Sequence, residues 1–273
     1  MYVMTIDQRG STTDVDRVPD LLAELSALSG AGRFERSVGD EVQGVLEYPA
    51  DVVEIALHAM RGGRWYVGIG VGAVDRPLPK SPREGSGPAF VAARLAVDRA
   101  KASAAHVPIA VVAGVPRRGQ VLSSPGGSAG AGPAAGPGAG SGAGPGAGSG
   151  AAAGPGAGSG VGDGWDSARA CANAEAVLRL IGRLVQDRSS AQWKVVDVLR
   201  SVQQGQASTH GTQKIAAGKL GITEQSVSRA LLRSGWQEEW AARPAAEMLL
   251  SLAHGLITGT DRPGADNYAE GDR

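Results

Sequence analysis

Two short acidic motifs in the first forty residues contain the side chains best suited to chemistry. Asp7 follows the apolar run Tyr2–Ile6 and precedes Gly10, and Asp40 directly follows Gly39. If both carboxylates lie at strand ends, they can hold a divalent cation against a phosphate group. Two ionised carboxylates held close together also repel one another unless a cation lies between them. The sequence therefore predicts a Mg²⁺ or Mn²⁺ site that contains Asp7 and Asp40.

The residues after Asp7 extend this candidate site towards phosphate binding. Ser11 and Thr12 follow Gly10 and offer hydroxyl and backbone N–H donors. The alternative is ordinary turn chemistry, in which Asp7 caps the next turn and Gly39 and the residue after it form a common hairpin turn.

A second functional pattern, Thr212–Arg233, fits the template of a helix-turn-helix. Ala217 is small where the two helices would cross, and Gly221 supplies a positive φ in the turn. Thr212 and Thr223 are predicted to cap the first and second helices. Two apolar residues are expected in the core between the helices: Ile222 and Val227.

The second of these helices would present polar side chains to duplex DNA. Gln and Arg suit base edges in the major groove, whereas Lys, Thr and Arg suit phosphates. The segment from Arg200 to Arg233 contains five basic residues and one acidic residue, so it is locally positive. The alternative is a helical hairpin that contacts only protein. The predicted DNA contacts are Lys219, Thr223, Glu224, Gln225, Ser228, Arg229 and Arg233.

Composition limits the class of protein. Lys and Arg number 27, as do Asp and Glu, so any basic surface must be local. The single cysteine, Cys171, excludes an internal disulfide and favours a reducing compartment. No segment reaches the roughly 18 apolar residues of a membrane span, and the N-terminus has no signal-peptide pattern. We expect a cytoplasmic protein that does not enter a membrane.

A Gly/Ala/Pro/Ser-rich segment divides the chain. Such a composition cannot bury enough apolar surface to order itself, so residues 121–164 are predicted to be a disordered linker. The expected units are an α+β domain over residues 1–120, the linker, an all-α domain over residues 165–258, and a polar tail over residues 259–273.

The elements of the first unit follow the order β-α-β-β-α-β-α-β. This order predicts a ferredoxin-like α+β sheet with helices on one face. It places the strand Tyr2–Ile6 beside a hairpin formed by Arg33–Val38 and Glu41–Glu47, so that Asp7 and Asp40 meet at one end of the sheet. The segment Pro77–Ser86 is predicted to be a loop over that site.

These motifs resemble those of class III nucleotidyl cyclases. Residues 7–12, Asp-Gln-Arg-Gly-Ser-Thr, are similar to the first metal-binding motif of that family, and Gly39-Asp40 is similar to the hairpin that carries its second metal-binding Asp. The resemblance implies two metal ions that activate a ribose hydroxyl and hold a triphosphate.

Further positions agree with the cyclase pattern or depart from it. The resemblance places Arg36 where those enzymes often have a base-selecting residue, and Arg94 where they have a transition-state arginine. Phe90 departs from the pattern because it stands where they have an Asn. A phenyl ring cannot form the hydrogen bonds of that amide, which implies weak or absent cyclase activity.

The whole layout is similar to the SatD family. The similarity rests on Gly-Asp-Glu-Val-Gln, on Gly-Pro-Ala-Phe and on the C-terminal helix-turn-helix. It implies a cyclase-like fold whose chemistry is altered or lost. Together with the helix-turn-helix residues, it leads us to expect a DNA-binding regulatory protein, a homodimer, with a cyclase-like domain that senses a nucleotide or metal. The alternative is a metal-dependent nucleotidyl cyclase or transferase that its helix-turn-helix directs to a target. A third class is a purely structural interaction protein.

Overall fold

The computed structural model describes residues 1–28, 32–103, 105–114, 166–204 and 211–259. Within these ranges the fold is mixed α+β, with one five-stranded sheet and eight α-helices. The predicted linker and all of the predicted tail except Gly259 lie outside the described residues. In chain order the elements are β1 (Tyr2–Gln8), α1 (Val18–Ser26), β2 (Arg33–Arg36), β3 (Glu41–Leu46), α2 (Pro49–Met60), β4 (Trp65–Gly72), a 3₁₀ turn (Pro82–Glu84), α3 (Pro88–Ala102), β5 (Ile109–Gly114), α4 (Ser167–Gln186), α5 (Ser190–Gln204), α6 (Thr212–Leu220), α7 (Glu224–Arg233) and α8 (Trp236–Thr258).

The sheet has the strand order β2-β3-β1-β4-β5. Its central strand, β1, is antiparallel to both β3 and β4, whereas β4 and β5 are parallel. Asp7 lies opposite Glu41 of β3 and Tyr66 of β4. The expected position of the first strand beside the hairpin is therefore confirmed.

Helices cover both faces of the sheet, so the prediction of helices on one face is wrong. Alternate glycines on β4 leave room for the backbone of α3 on one side. A Cβ added at Gly70 would lie 2.1 Å from the carbonyl oxygen of Ala89, and one added at Gly68 would lie 2.4 Å from the Val97 nitrogen. The intervening side chains, such as that of Ile69, point to the opposite face and join the main core.

The main core extends across the expected boundary between the first and last units. Leu178 of α4 and Leu250 of α8 are buried in the same apolar cluster as Met4 and Ile69 of the sheet. The described residues before and after the Gly/Ala/Pro/Ser-rich segment accordingly group as one compact unit. The reason is physical: one face of the sheet is apolar, and α4 and α8 help to cover it.

A smaller apolar cluster joins α5, α6 and α7 to the start of α8. Ala217 and Val227 are buried in it, as predicted, but Ile222 is 41% exposed and is not a core residue. Thr212 is not a cap, since it is the first residue of α6 and follows Gly211. The last helix, α8, begins at Trp236, directly after Gly235. No described helix is both long and apolar enough to cross a membrane.

Candidate functional site

A tight turn sets the position of α7 relative to α6. Gly221 ends α6 with φ of +64°, and the N–H of Ile222 donates to the carbonyl oxygen of Ala217 at 3.1 Å. Thr223 then caps α7, because its Oγ1 accepts a hydrogen bond from the Ser226 N–H at 3.2 Å. The predicted roles of Gly221 and Thr223 are thus confirmed. Their geometry orients the start of α7.

The outer face of α7 is polar and uncovered. Val227 and Leu231 point into the small core and hold the helix from the inside. On the outside lie the side chains that the sequence predicted to contact DNA, and the structure leaves every one of them exposed: Lys219, Thr223, Glu224, Gln225, Ser228, Arg229 and Arg233.

No carboxylate of the described residues forms an ion pair with the basic side chains of this face. Among the described residues, Lys219, Arg229 and Arg233 form no ion pair, whereas most arginines of the sheet region do. Glu224 is the only acidic residue between Arg200 and Arg233. This face is therefore free to attract an anionic partner.

A second group of charged residues lies at the end of β1 that carries Asp7. Lys101 of α3 donates from Nζ to Asp7 Oδ2 at 2.6 Å, and the Gln8 N–H donates to the Asp40 carbonyl oxygen at 3.3 Å. The neighbours of this pair include Asp40, Glu41 and Asp98, and we call these five residues, Asp7, Asp40, Glu41, Asp98 and Lys101, the Asp7 cluster.

Burial and charge act against each other in the Asp7 cluster. Burial raises the pKa of the Asp7 carboxyl, Lys101 opposes that rise, and the charges of Asp40 and Asp98 add to it. Burial works to lower the pKa of Lys101, but its hydrogen bond to Asp7 and the surrounding carboxylates raise that pKa overall. Burial likewise raises the pKa of Glu41. The ammonium group of Lys101 is thus the local counter-ion.

The predicted phosphate-binding residues lie beside this cluster. Gly10 has φ of +68°, and its carbonyl oxygen accepts from the N–H groups of Thr13 and Asp14. Ser11 and Thr12 are exposed at the tip of this turn. The segment is therefore an ordinary hydrogen-bonded turn whose hydroxyl groups face outwards.

The hairpin residues are tied to one another. Arg36 donates to Asp16 Oδ2 at 2.6 Å and to the Gly39 carbonyl oxygen at 2.7 Å. Gly39 has φ of +58°, as its place in the hairpin turn requires. Arg36 therefore braces the hairpin, and a phosphate or base would have to compete with Asp16 for its guanidinium group.

Two residues of α3 that the cyclase resemblance singled out have different surroundings. Arg94 is exposed, and its charge helps to hold down the pKa of Glu41. Phe90 is buried in a small cluster with Val3 and Ala93. Its ring fills space beneath the sheet and is not presented to a ligand.

The loop Pro77–Ser86 lies away from the Asp7 cluster, so its predicted position over the site is wrong. Ser81 Oγ hydrogen-bonds Glu35, and Arg33 donates to the carbonyl oxygen of Lys80. The loop follows β4, which is antiparallel to β1, so it leaves the sheet at the end opposite Asp7.

The fit of a divalent metal to Asp7 and Asp40 is limited by Lys101. Its ammonium group is bound to Oδ2, one of the two carboxylate oxygens of Asp7. No group of three or more His, Cys, Asp or Glu side chains within the described ranges is arranged to hold a metal ion. A metal ion at Asp7 would therefore have to compete with the charge of Lys101.

Sequence reasoning missed Lys101, Glu41 and Asp98 as members of the site. A helical signal was present, because Arg94, Asp98 and Lys101 have the spacing i, i+4, i+7, which places them on one side of α3. That this side reaches the end of β1 depends on how α3 crosses the sheet.

No family model, curated protein or solved structure matches this chain. The chemistry of the described side chains is thus the basis for assigning a function.

Proposed function

We propose that this chain is a DNA-binding regulatory protein that reads duplex DNA with α7. In this proposal α6 and α7 act as a helix-turn-helix, and the sheet acts as a cyclase-like module that responds to a nucleotide or metal. The observation that carries the proposal is the exposed face of α7, with Arg229 and Arg233 unpaired among the described residues.

The dimensions of DNA suit this face. The major groove is about 12 Å wide and admits one α-helix. Buried Val227 and Leu231 anchor α7, so that Gln225, Ser228 and Arg229 are presented outwards. One helix makes few phosphate contacts, so strong binding requires two copies. A homodimer would then bind half-sites about 34 Å apart on one face of the duplex.

The test compares two arginine variants of the full chain on selected and random duplexes. Arg229→Ala should lose discrimination of about 1–3 kcal/mol at one base pair, because a bidentate base contact is removed. Arg233→Ala should weaken binding to all sequences and reduce the salt slope by about 1. Arg83→Ala is the matched control, since Arg83 is exposed and far along the chain from α7. If the full chain retards no duplex at low salt, α7 does not bind DNA.

The second candidate function is a metal-dependent nucleotidyl cyclase or transferase. Its specific support is the concentration of carboxylates in the Asp7 cluster, next to the exposed turn with Ser11 and Thr12. Mg²⁺ or Mn²⁺ would supply charge for the triphosphate, and Asp7 and Asp40 would hold the ion in competition with Lys101. Phe90 argues for slow chemistry, since a lost polar group of this kind costs on the order of 10²–10³ in rate.

Calorimetry with each nucleoside triphosphate and Mn²⁺ distinguishes sensing from catalysis. Asp40→Asn should weaken metal–nucleotide binding in both cases, and equal binding by the variant and the wild type would exclude this site. Mass analysis after incubation should show the nucleotide unchanged if the module is a sensor. Rapid formation of a cyclic product would instead establish the enzyme.

A further inference from the structure

A groove beside α7 includes two of the proposed DNA contacts, Arg229 and Arg233, together with apolar side chains that DNA reading as proposed above does not use. It lies between the start of α5 and the turn that joins α6 to α7, and its volume is about 530 Å³. Sites for small organic molecules usually have volumes of about 300–1,000 Å³. The groove is therefore large enough for a small ligand.

The apolar part of the groove includes a side chain that local sequence reasoning expected in the core. Ile222 lines the groove with Leu220, Val195 and Ala230. At 41% exposure, Ile222 leaves much of its apolar surface in water. Covering such surface stabilises a complex in proportion to the apolar area that is removed from water. A ligand with an apolar body would gain this stabilisation.

The charged part of the groove is entirely basic. Lys194, Arg229 and Arg233 line it, no carboxylate does, and none of the three forms an ion pair within the described part of the chain. The other polar side chains are largely occupied: Ser189 Oγ and Gln192 Oε1 accept from each other's backbone N–H groups. An anionic group at this position would meet three cations that pair with no carboxylate in the part of the chain that the structure describes.

We propose that this groove binds a small amphipathic organic anion, with its apolar body against Ile222 and Leu220 and its anionic group near Lys194, Arg229 and Arg233. The ligand needs both an apolar body and an anionic group, because a DNA phosphate alone would neutralise the arginines and leave Ile222 uncovered. Arg229 and Arg233 also belong to the outer face of α7. If the proposed function holds, such an anion competes with DNA.

The binding test uses the full chain, the fluorescent sulfonate 8-anilinonaphthalene-1-sulfonate, and displacement by decanoate. Decanoate should displace the probe, whereas decanol and decyltrimethylammonium should displace it at least about tenfold less well, because they lack the anion. Equal displacement by decanol would overturn the assignment of an anion site. Failure of decanoate to displace the probe would overturn the site altogether.

Two variants locate the site and one serves as control. Lys194→Gln removes one cation, and Ala191→Phe fills the groove without changing charge. Each should weaken decanoate binding about tenfold or more. Both residues are exposed, so the variants should keep the wild-type far-ultraviolet circular dichroism. Lys214→Gln on α6, whose side chain is exposed but does not line the groove, should bind as the wild type does. Unchanged binding by Ala191→Phe would overturn the proposal.

The coupling to DNA is measured separately. Decanoate should lower the affinity of the wild type for duplex DNA, and Ala191→Phe should make DNA binding insensitive to decanoate. If decanoate binds in the groove and DNA affinity does not change, the competition is refuted while the anion site stands. If the protein binds decanoate but no DNA, the proposed function fails and the groove site is still supported by direct binding.

Discussion

The most deeply placed charged pair of the Asp7 cluster is Asp7 with Lys101. The Asp7 side chain is about 10% exposed and the Lys101 side chain 39% exposed, so the carboxylate is more deeply placed than its counter-ion. Lys101 therefore reaches the carboxylate from the solvent side. The ammonium group stabilises the ionised form of Asp7. A metal ion or nucleotide that bound at Asp7 would have to compete with this ammonium group.

Replacing Lys101 by Met should raise the pKa of Asp7 above its value in the wild type. Burial already raises that pKa from 3.8, and Lys101 is the main influence that lowers it. The measurement is the carboxyl ¹³C shift of Asp7 against pH. Lys80→Met, an exposed lysine at the other end of the sheet, is the control. An unchanged Asp7 titration in Lys101→Met would contradict the ion pair.

The same variant should show a defined pH dependence of stability. A carboxyl whose pKa is higher in the folded state than in the unfolded state costs stability once it ionises. The cost therefore appears as pH rises from 3.8 through the raised value, and it persists above that value. Lys101→Met should differ little from the wild type in acid and should be less stable at neutral pH. Urea unfolding at both pH values checks this.

At the scale of elements, close contact between β4 and α3 depends on small residues on both sides. Gly68 and Gly70 face Ala89 and Ala93, and all of these positions are buried. The absence of side chains on β4 brings the helix backbone almost onto the strand. This contact puts Lys101, three turns further along α3, beside the end of β1.

Adding one methyl group to each of two glycines should have opposite effects. Gly70→Ala should lower the free energy of unfolding by about 1–3 kcal/mol or more, because the new Cβ would overlap the backbone of α3. Gly218→Ala in α6 has free space around it and should raise stability by up to about 1 kcal/mol, since Gly is unfavourable inside a helix. Urea denaturation measures both. A neutral Gly70→Ala would show that α3 is packed more loosely than described.

Side chains of two helices form hydrogen bonds with backbone groups of the edge strand β5. The Val111 N–H donates to Glu175 Oε2 at 2.8 Å, and Arg179 donates to the Ile109 carbonyl oxygen at 3.1 Å. Arg99 of α3 also donates to the Val111 carbonyl oxygen at 3.0 Å. These bonds occupy backbone groups that another strand would otherwise pair with. They also fix α4 against the sheet.

At the scale of the whole molecule, ion pairs connect the sheet region to the helices near α7. Glu54 of α2 is paired with Arg200 of α5 and with Arg243 of α8. Arg61 at the end of α2 donates two hydrogen bonds to Asp197 of α5, at 2.6 and 3.0 Å. These contacts fix the orientation of α5, and with it the position of α7, relative to the sheet.

Replacing Glu54 by Gln should destabilise the whole fold by on the order of 3 kcal/mol, because two largely buried arginines lose their shared counter-charge. Arg183→Gln is the control, since its pair with Asp187 is half exposed and should be worth less than about 1 kcal/mol.

Thermal unfolding should show one transition in the wild type, since sheet and helices share a core. Two separate transitions would contradict that shared core.

Acid should weaken the same contact in the wild type. Burial acts to raise the pKa of Glu54, but the charges of Arg243 and Arg200 and their hydrogen bonds hold it below 4.5. Stability from this carboxylate is therefore present above pH 4.5 and is lost as pH falls through the lowered value. Glu54→Gln should remove this part of the acid dependence, which calorimetry at several pH values would detect.

Local patterns in the sequence were sufficient for most elements and for the turn and cap that join α6 to α7. The periodicity of apolar residues predicted the strands and helices, because each pattern depends on neighbours within one turn or one strand. Gly221 and Thr223 were recognised because turn and cap conformations depend on the residue itself. The order of the first elements also indicated that β1 lies beside the hairpin.

Other features depend on which helix packs against which face of the sheet or of another helix. Only the tertiary structure decided these features. Helices α4 and α8 complete the sheet's core although the whole Gly/Ala/Pro/Ser segment separates them from it in sequence. The crossing of α3 brings Lys101 to Asp7, and the packing of α5 against the α6–α7 turn leaves Ile222 in a groove. The free energy gained by burying apolar area does not depend on which segment of the chain supplies that area. A sequence therefore specifies each apolar face locally, while the partner of that face is selected only when the whole core is filled.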